Sequence, residues 1–213
     1  QLATCIADLT DSAQVEGAFA TAASTFGGVD IVVPNAGIAH VSRLEGMDRA
    51  RFEQVLAVNT TGTMLVLQQA AKLFRAQQSG GSVVLQAGKN AFAPGAGFGA
   101  YSASKAAALQ LGRIAALEFA EFGVAVNMIN ADAVFGDDDV PSQLWQLVGP
   151  DRMKARNLDP EGLRAYYHDR SLLKTTVLPR HVGEAVVFFA SCRAPITGAV
   201  LPVDGGLPEA FPR

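Results

Sequence analysis

Two cysteines, Cys5 and Cys192, are all that this chain of 213 residues carries, and they stand far apart. So small a supply excludes a disulfide framework and reads as free thiols in a reducing compartment. No apolar run reaches the ~18 residues that a membrane span needs. No charged-then-apolar leader opens the chain, which begins on Gln1. Charge of one sign is scarce as well: 17 Lys and Arg oppose 20 Asp and Glu, a net charge of −3. That balance argues against a nucleic-acid partner or an anionic membrane surface. His40 and His181 have no carboxylate or thiol pair at metal-ligand spacing, so no metal site is expected. The Asp137-Asp138-Asp139 run reads as a solvated loop tip. A cytoplasmic protein is the default.

What is present points to a packed α/β chain. Hydrophobic residues make up 49% and charged ones 17%, and no low-complexity linker interrupts them, so residues 1–213 read as one domain. Residues 2–7 form an apolar run expected to be a strand. A helical stripe through Val15, Phe19 and Ala22 follows and ends at Gly27-Gly28. Residues 29–33 read as a buried strand. Asp48 can cap a long helix reaching about Gln78, with Asn59 and Gly62 inside it as poor helix formers that mark an irregularity. Strands are expected at 82–85, 124–129 and 197–203, and a short helix at 142–147. Asp159-Pro160 and Pro179 open two further helices. Strand and helix alternate four times, which predicts a parallel sheet with helices on both faces.

Residues 99–117 form an Ala-rich helix that brings Tyr101 and Lys105 onto one face a turn apart. A nearby ammonium favours phenolate, so the pair can exchange a proton with a substrate alcohol or carbonyl near neutral pH. Tyr101 and Lys105 are the catalytic candidates, although the same spacing by itself also suits a Tyr lying over a core edge beside a solvated Lys.

Taken together, Asn35-Ala36-Gly37, Asn59, Tyr101 with Lys105 and Asp204-Gly205-Gly206 resemble the short-chain dehydrogenase/reductase family over essentially the whole chain. The resemblance implies a Rossmann-like, doubly wound parallel sheet and hydride transfer with NAD or NADP. It makes Asp8 and Leu9 adenine contacts, Asn35, Ala36 and Gly37 the cleft lining, and Val134 a carboxamide contact. It gives Asn59 a water-holding role in a proton relay with Tyr101 and Lys105. Within the family, the stretches at 130–135, 163–174 and 203–213 resemble the dehydrogenase half of bifunctional rhamnulose-1-phosphate aldolase/lactaldehyde dehydrogenases. That likeness implies a small hydroxyaldehyde or sugar-alcohol substrate, a homo-oligomer (dimer or tetramer) and an aldolase part elsewhere in a longer chain. Tyr166, Tyr167, His168 and Arg170 then fall on the helix that caps the substrate cleft, where packing is the commoner use of such residues.

Two features depart from the family. The Ser that precedes the Tyr by thirteen residues is here Gly88, which offers no donor, leaving Asn90 as a substitute or the chain as an impaired or dead enzyme. No glycine-rich pyrophosphate turn precedes Asp8, so the first two strands of the family sheet are missing. The strand at 2–7 would lie two places, roughly 10 Å, from the strand at 29–33. A fragment of a longer chain, or an altered first strand, is expected, with a long apolar sheet edge left open.

Overall fold

The buried strand residues alternate strictly in which helices they meet. Val83, Val124 and Val126 join one apolar cluster, and Val84 and Ile129 join another. This period of two lets a fully buried strand face helices on both sides. The chain is described by a computed structural model that covers residues 2–210. Strands β1 (Ile31–Val32), β2 (Gly81–Gln86), β3 (Val124–Ala131) and β4 (Val200–Val203) form one parallel sheet in the order β1-β2-β3-β4.

Helices α1 (Ser12–Phe26), α2 (Arg49–Leu56), α3 (Gly62–Gln77) and α4 (Gly99–Phe119) precede β3 in the chain. Val15 of α1, Phe74 of α3 and Phe119 of α4 share the first cluster, so these three helices cover one face. Phe74 is almost fully enclosed, a burial of the size that contributes about 2–3 kcal/mol. After β3 come α5 (Gln143–Arg156), α6 (Pro160–Arg170) and α7 (Pro179–Ala190). Ala185 and Phe189 of α7 cover the opposite face of β2 and β3. Gly112 lets α4 lie directly on the sheet, because an added Cβ would sit 2.9 Å from Leu85 Cδ2 and 3.0 Å from Met128 Sδ.

Several expectations need correction. Residues 2–7 form no strand, and Leu2 and Ile6 are fully open to solvent. A strand exists only where a neighbour takes its backbone hydrogen bonds, and among the described residues none lies beside this segment. The strand expected at 29–33 shrinks to Ile31–Val32, and its open edge is therefore short. Pairing continues on one side only, through Ser82 N–H to Asp30 O at 2.9 Å and Gln86 N–H to Pro34 O at 3.1 Å. The helix expected at 142–147 extends through Pro150 to Arg156, capped by Ser142 at its start and by Asn157 in a left-handed conformation at its end. The last strand begins at Val200 rather than at residue 197.

The irregularity inside the long helix has a definite form. Asp48 caps α2, as its sequence position suggests, and residues Ala57–Thr61 then make one π-helical turn before α3 resumes. A π turn frees backbone groups from the regular ladder and is common at functional sites. Here it places the Asn59 side chain inward, 1% exposed.

Candidate active site

The C-terminal ends of β1, β2 and β3 converge on a cleft of about 700 Å³. This is where an open α/β sheet binds its ligands. Asn35, Ala36 and Gly37 line it after β1, Gln86 at the end of β2 with Gly88 beyond it, and Asp132 to Val134 after β3. Tyr101 and Lys105 enter from α4.

The structure brings most of the sequence candidates together. Asn59 lies behind the wall and acts as a clamp. Its Oδ1 accepts the Ile38 N–H at 2.8 Å, and its Nδ2 donates to Ile38 O at 2.8 Å and to Ser104 Oγ at 2.9 Å. The amide is thus spent on holding the 35–38 turn against α4. Gly37 sits in the gap that remains: a Cβ there would lie 3.2 Å from Asn59 Oδ1 and 3.5 Å from Lys105 Nζ. Asp8 and Leu9 do not line the cleft. The exposed Asp8 carboxylate accepts from the Thr10 N–H and hydroxyl, each at 2.8 Å, and these bonds hold its pKa below the usual value. Leu9 packs beside Gly62.

Lys105 Nζ donates to Gln86 O at 2.8 Å and lies 5.8 Å from the centre of the Tyr101 ring. Burial lowers its pKa to about 8. Burial, reinforced by the Asp132 charge, pushes the Tyr101 phenol up to about 12. Lys105 is not among the groups that move the Tyr101 phenol; burial dominates, in the direction opposite to the expected acidification, and Tyr101 is a protonated hydrogen-bond donor at neutral pH.

Gly88 adopts φ 81°, ψ 154°, a region open essentially to glycine alone. A Cβ there would meet Tyr101 Oη at 3.7 Å, so a side chain at this position would face the phenol. Asn90, the proposed substitute, also lines the cleft, but its Nδ2 donates to Ser102 Oγ at 3.1 Å.

Of the four residues noted on α6, Tyr167 and Arg170 line the cleft, whereas Tyr166 and His168 do not. Arg170 pairs with Asp132; burial works against the guanidinium charge, and the carboxylate more than restores it, raising its pKa. The sequence reading missed Lys89 and Arg152, and Asp132 as an ionic partner. Trp145 stacks on Phe135, with ring centres 4.4 Å apart, and also lines the cleft. No short motif marks these residues. Only the fold carries α5 and α6 over the strand ends.

The residues fit the nicotinamide end of a dinucleotide. The wall from Gly37 to Lys105 is a cradle that any side chain at residue 37 would fill, and Tyr101 Oη and Ala131 O both approach residue 88, at 3.7 and 3.8 Å from a Cβ placed there.

A family model described as short chain dehydrogenase matches residues 1–137. An uncharacterized oxidoreductase, YuxG, of Bacillus subtilis is 37% identical over 207 residues, which is 97% of this chain and 30% of that protein. The chain thus spans under a third of the length of that curated relative. The D-threitol dehydrogenase of Mycolicibacterium smegmatis is 32% identical over 200 residues, 93% of this chain and 70% of that one. Among solved structures, sorbitol-6-phosphate 2-dehydrogenase SrlD from Erwinia amylovora superposes with a TM-score of 0.85 at 27% identity, covering 94% of this chain and 77% of its own.

Proposed function

We propose, from the premise that this chain belongs to the short chain dehydrogenase family and is an oxidoreductase, that it moves a hydride to or from a small sugar alcohol or hydroxyaldehyde. The reading takes NAD as the cofactor and a lactaldehyde-like compound as one substrate. It includes a cytoplasmic homo-oligomer and an aldolase part in a longer chain. The observation that carries it is the meeting of Tyr101, Lys105, Gly37 and the Asn59 clamp at one wall of the cleft.

A bound nicotinamide would supply hydride acceptance or donation at its C4. Everything else falls to this chain. Tyr101 donates its hydroxyl to the substrate oxygen, giving up the proton in reduction and taking it back in oxidation. Lys105 fixes the strand end through Gln86 O and offers its remaining N–H groups to the cleft. The turn at 35–38 holds reactants in line with Tyr101. Fluorescence titration of the chain with NADH and NADPH, followed by turnover assays on short polyols and lactaldehyde, tests the reading. Saturable binding with polyol oxidation is the expected result. A folded sample that binds neither nucleotide and oxidises no polyol overturns it.

Gly88 favours a second reading, that of an impaired dehydrogenase, because a missing donor at the substrate oxygen costs on the order of 10²–10³ in rate. The pair Gly88→Ala and Gly88→Ser separates backbone from hydroxyl. Both variants lose about 1–3 kcal/mol to the left-handed backbone. Gly88→Ser is expected to turn over about tenfold faster than Gly88→Ala, because its hydroxyl reaches the Tyr101 side of the cleft. Equal rates in the two variants would remove position 88 from the substrate site.

A further inference from the structure

We propose that the Arg152 end of the cleft is an anion subsite, holding a phosphate monoester or carboxylate on the same small polyol whose carbinol meets Tyr101. The inference rests on the oxidoreductase reading and deepens it by naming the substrate class.

Arg152 projects from α5 and is only 8% exposed. Its Nε donates to Tyr167 Oη and its Nη1 to Ala96 O, each at a long 3.4 Å. Its guanidinium carbon lies 4.9 Å over the Phe98 ring. None of these partners is an anion. A buried charge without a counter-charge is costly, so an anionic ligand would meet a need that the partners of Arg152 among the described residues leave open. A planar guanidinium with free N–H groups suits the two oxygens of a phosphate or carboxylate.

The surroundings support the same assignment. Lys89 lines the same cleft, with a backbone carbonyl, Ala93 O, as its 2.8 Å partner, and burial lowers its pKa. Among the described residues the cleft lining holds Lys89, Lys105, Arg152 and Arg170 against one carboxylate, Asp132, which is already bound to Arg170, and the Glu209 carboxylate acts on Lys89 from outside the lining. The chain as a whole carries a charge of −3, so this cationic pocket runs against the charge of the molecule. Phe98 links the two ends: its ring centre is 6.1 Å from that of Tyr101, and Arg152 covers it. The Tyr101 ring centre and the Arg152 guanidinium carbon therefore lie at most about 11 Å apart.

The test needs no cofactor. Thermal unfolding is followed with glycerol 3-phosphate, glycerol, inorganic phosphate or malate, each at equal concentration and ionic strength. Glycerol 3-phosphate or malate is expected to raise Tm and glycerol to leave it unchanged. The shift should vanish in Arg152→Gln and shrink in Lys89→Gln. Kinetically, the ratio of kcat/KM for a polyol phosphate to that for the neutral polyol should fall about 10–100-fold in Arg152→Gln. No shift with either organic anion, or the same shift in both variants, overturns the subsite. A shift from inorganic phosphate equal to that from glycerol 3-phosphate overturns the substrate-borne part. If Arg152→Gln does not fold, Lys89→Gln carries the test. Turnover of neutral polyols without any anion effect defeats the subsite and leaves the oxidoreductase reading intact; anion binding without polyol turnover does the reverse.

Discussion

Tyr101→Phe lowers kcat by about 10³-fold, the middle of the range for a positioned acid–base group, and leaves the fold intact. The two parts of this expectation have separate causes. Tyr101 lines the cleft from α4, and its phenol is held protonated by burial and by Asp132. Removing the hydroxyl removes the proton donor. Among the described residues no hydrogen bond depends on that hydroxyl, so the Phe ring leaves no buried partner unsatisfied. Its edge-to-face contact with Phe98 survives. The melting temperature should change little, and cofactor affinity should stay within a few fold. A variant that keeps more than a tenth of wild-type kcat would take Tyr101 out of the chemistry. A large fall in Tm would instead make it a packing residue.

Lys105→Met has the second large effect, and it shows in stability as well as rate. The Lys105 ammonium is buried, with a folded pKa of about 8 against the usual 10.5. The folded state therefore binds fewer protons than the unfolded state between those values. Stability contributed by this group rises as pH climbs from about 8 to 10.5, and below about 8 the full desolvation cost is present. The shift corresponds to about 3 kcal/mol. Wild-type unfolding free energy should climb over that window, and the climb should be absent in Lys105→Met. Tyr101 acts in the opposite sense and later, because its raised pKa costs stability only from about 10 to 12. Denaturant titrations of both proteins at pH 7 and pH 10 would measure the difference. Parallel curves for the two proteins would mean that Lys105 is solvated. Turnover should fall by about 10²-fold or more, since the Met side chain offers no donor at the cleft wall. A more stable variant with lost activity is the usual relation between a strained site and its scaffold.

Local chemistry accounts for the parts of this protein that were legible in its sequence. Asp48 accepts from a free N–H group at a helix start, and Gly27 takes the left-handed turn that ends α1. Asn59 and Gly62 marked a helix irregularity that became a π turn. Tyr101 and Lys105 share a face because the helix period requires it. Each of these depends on a few neighbouring residues. What failed depends on partners distant in the chain. The segment at 2–7 has the composition of a strand, yet backbone hydrogen bonds need a neighbour that pattern alone does not provide. The proton affinities of Tyr101 and Lys105 depend on how much water the packed sheet excludes, a property of the assembled fold. Lys89, Asp132, Arg152 and Arg170 come from four separate stretches and meet only because parallel strands end on the same side. The sequence by itself thus determined the alternation of strand and helix from residue 29 onward, several helix caps and the placing of Tyr101 and Lys105 on one helix face. The tertiary structure decided the burial, and with it the charge state of the pair and the cationic lining of the cleft, because desolvation and convergence arise only when distant segments pack.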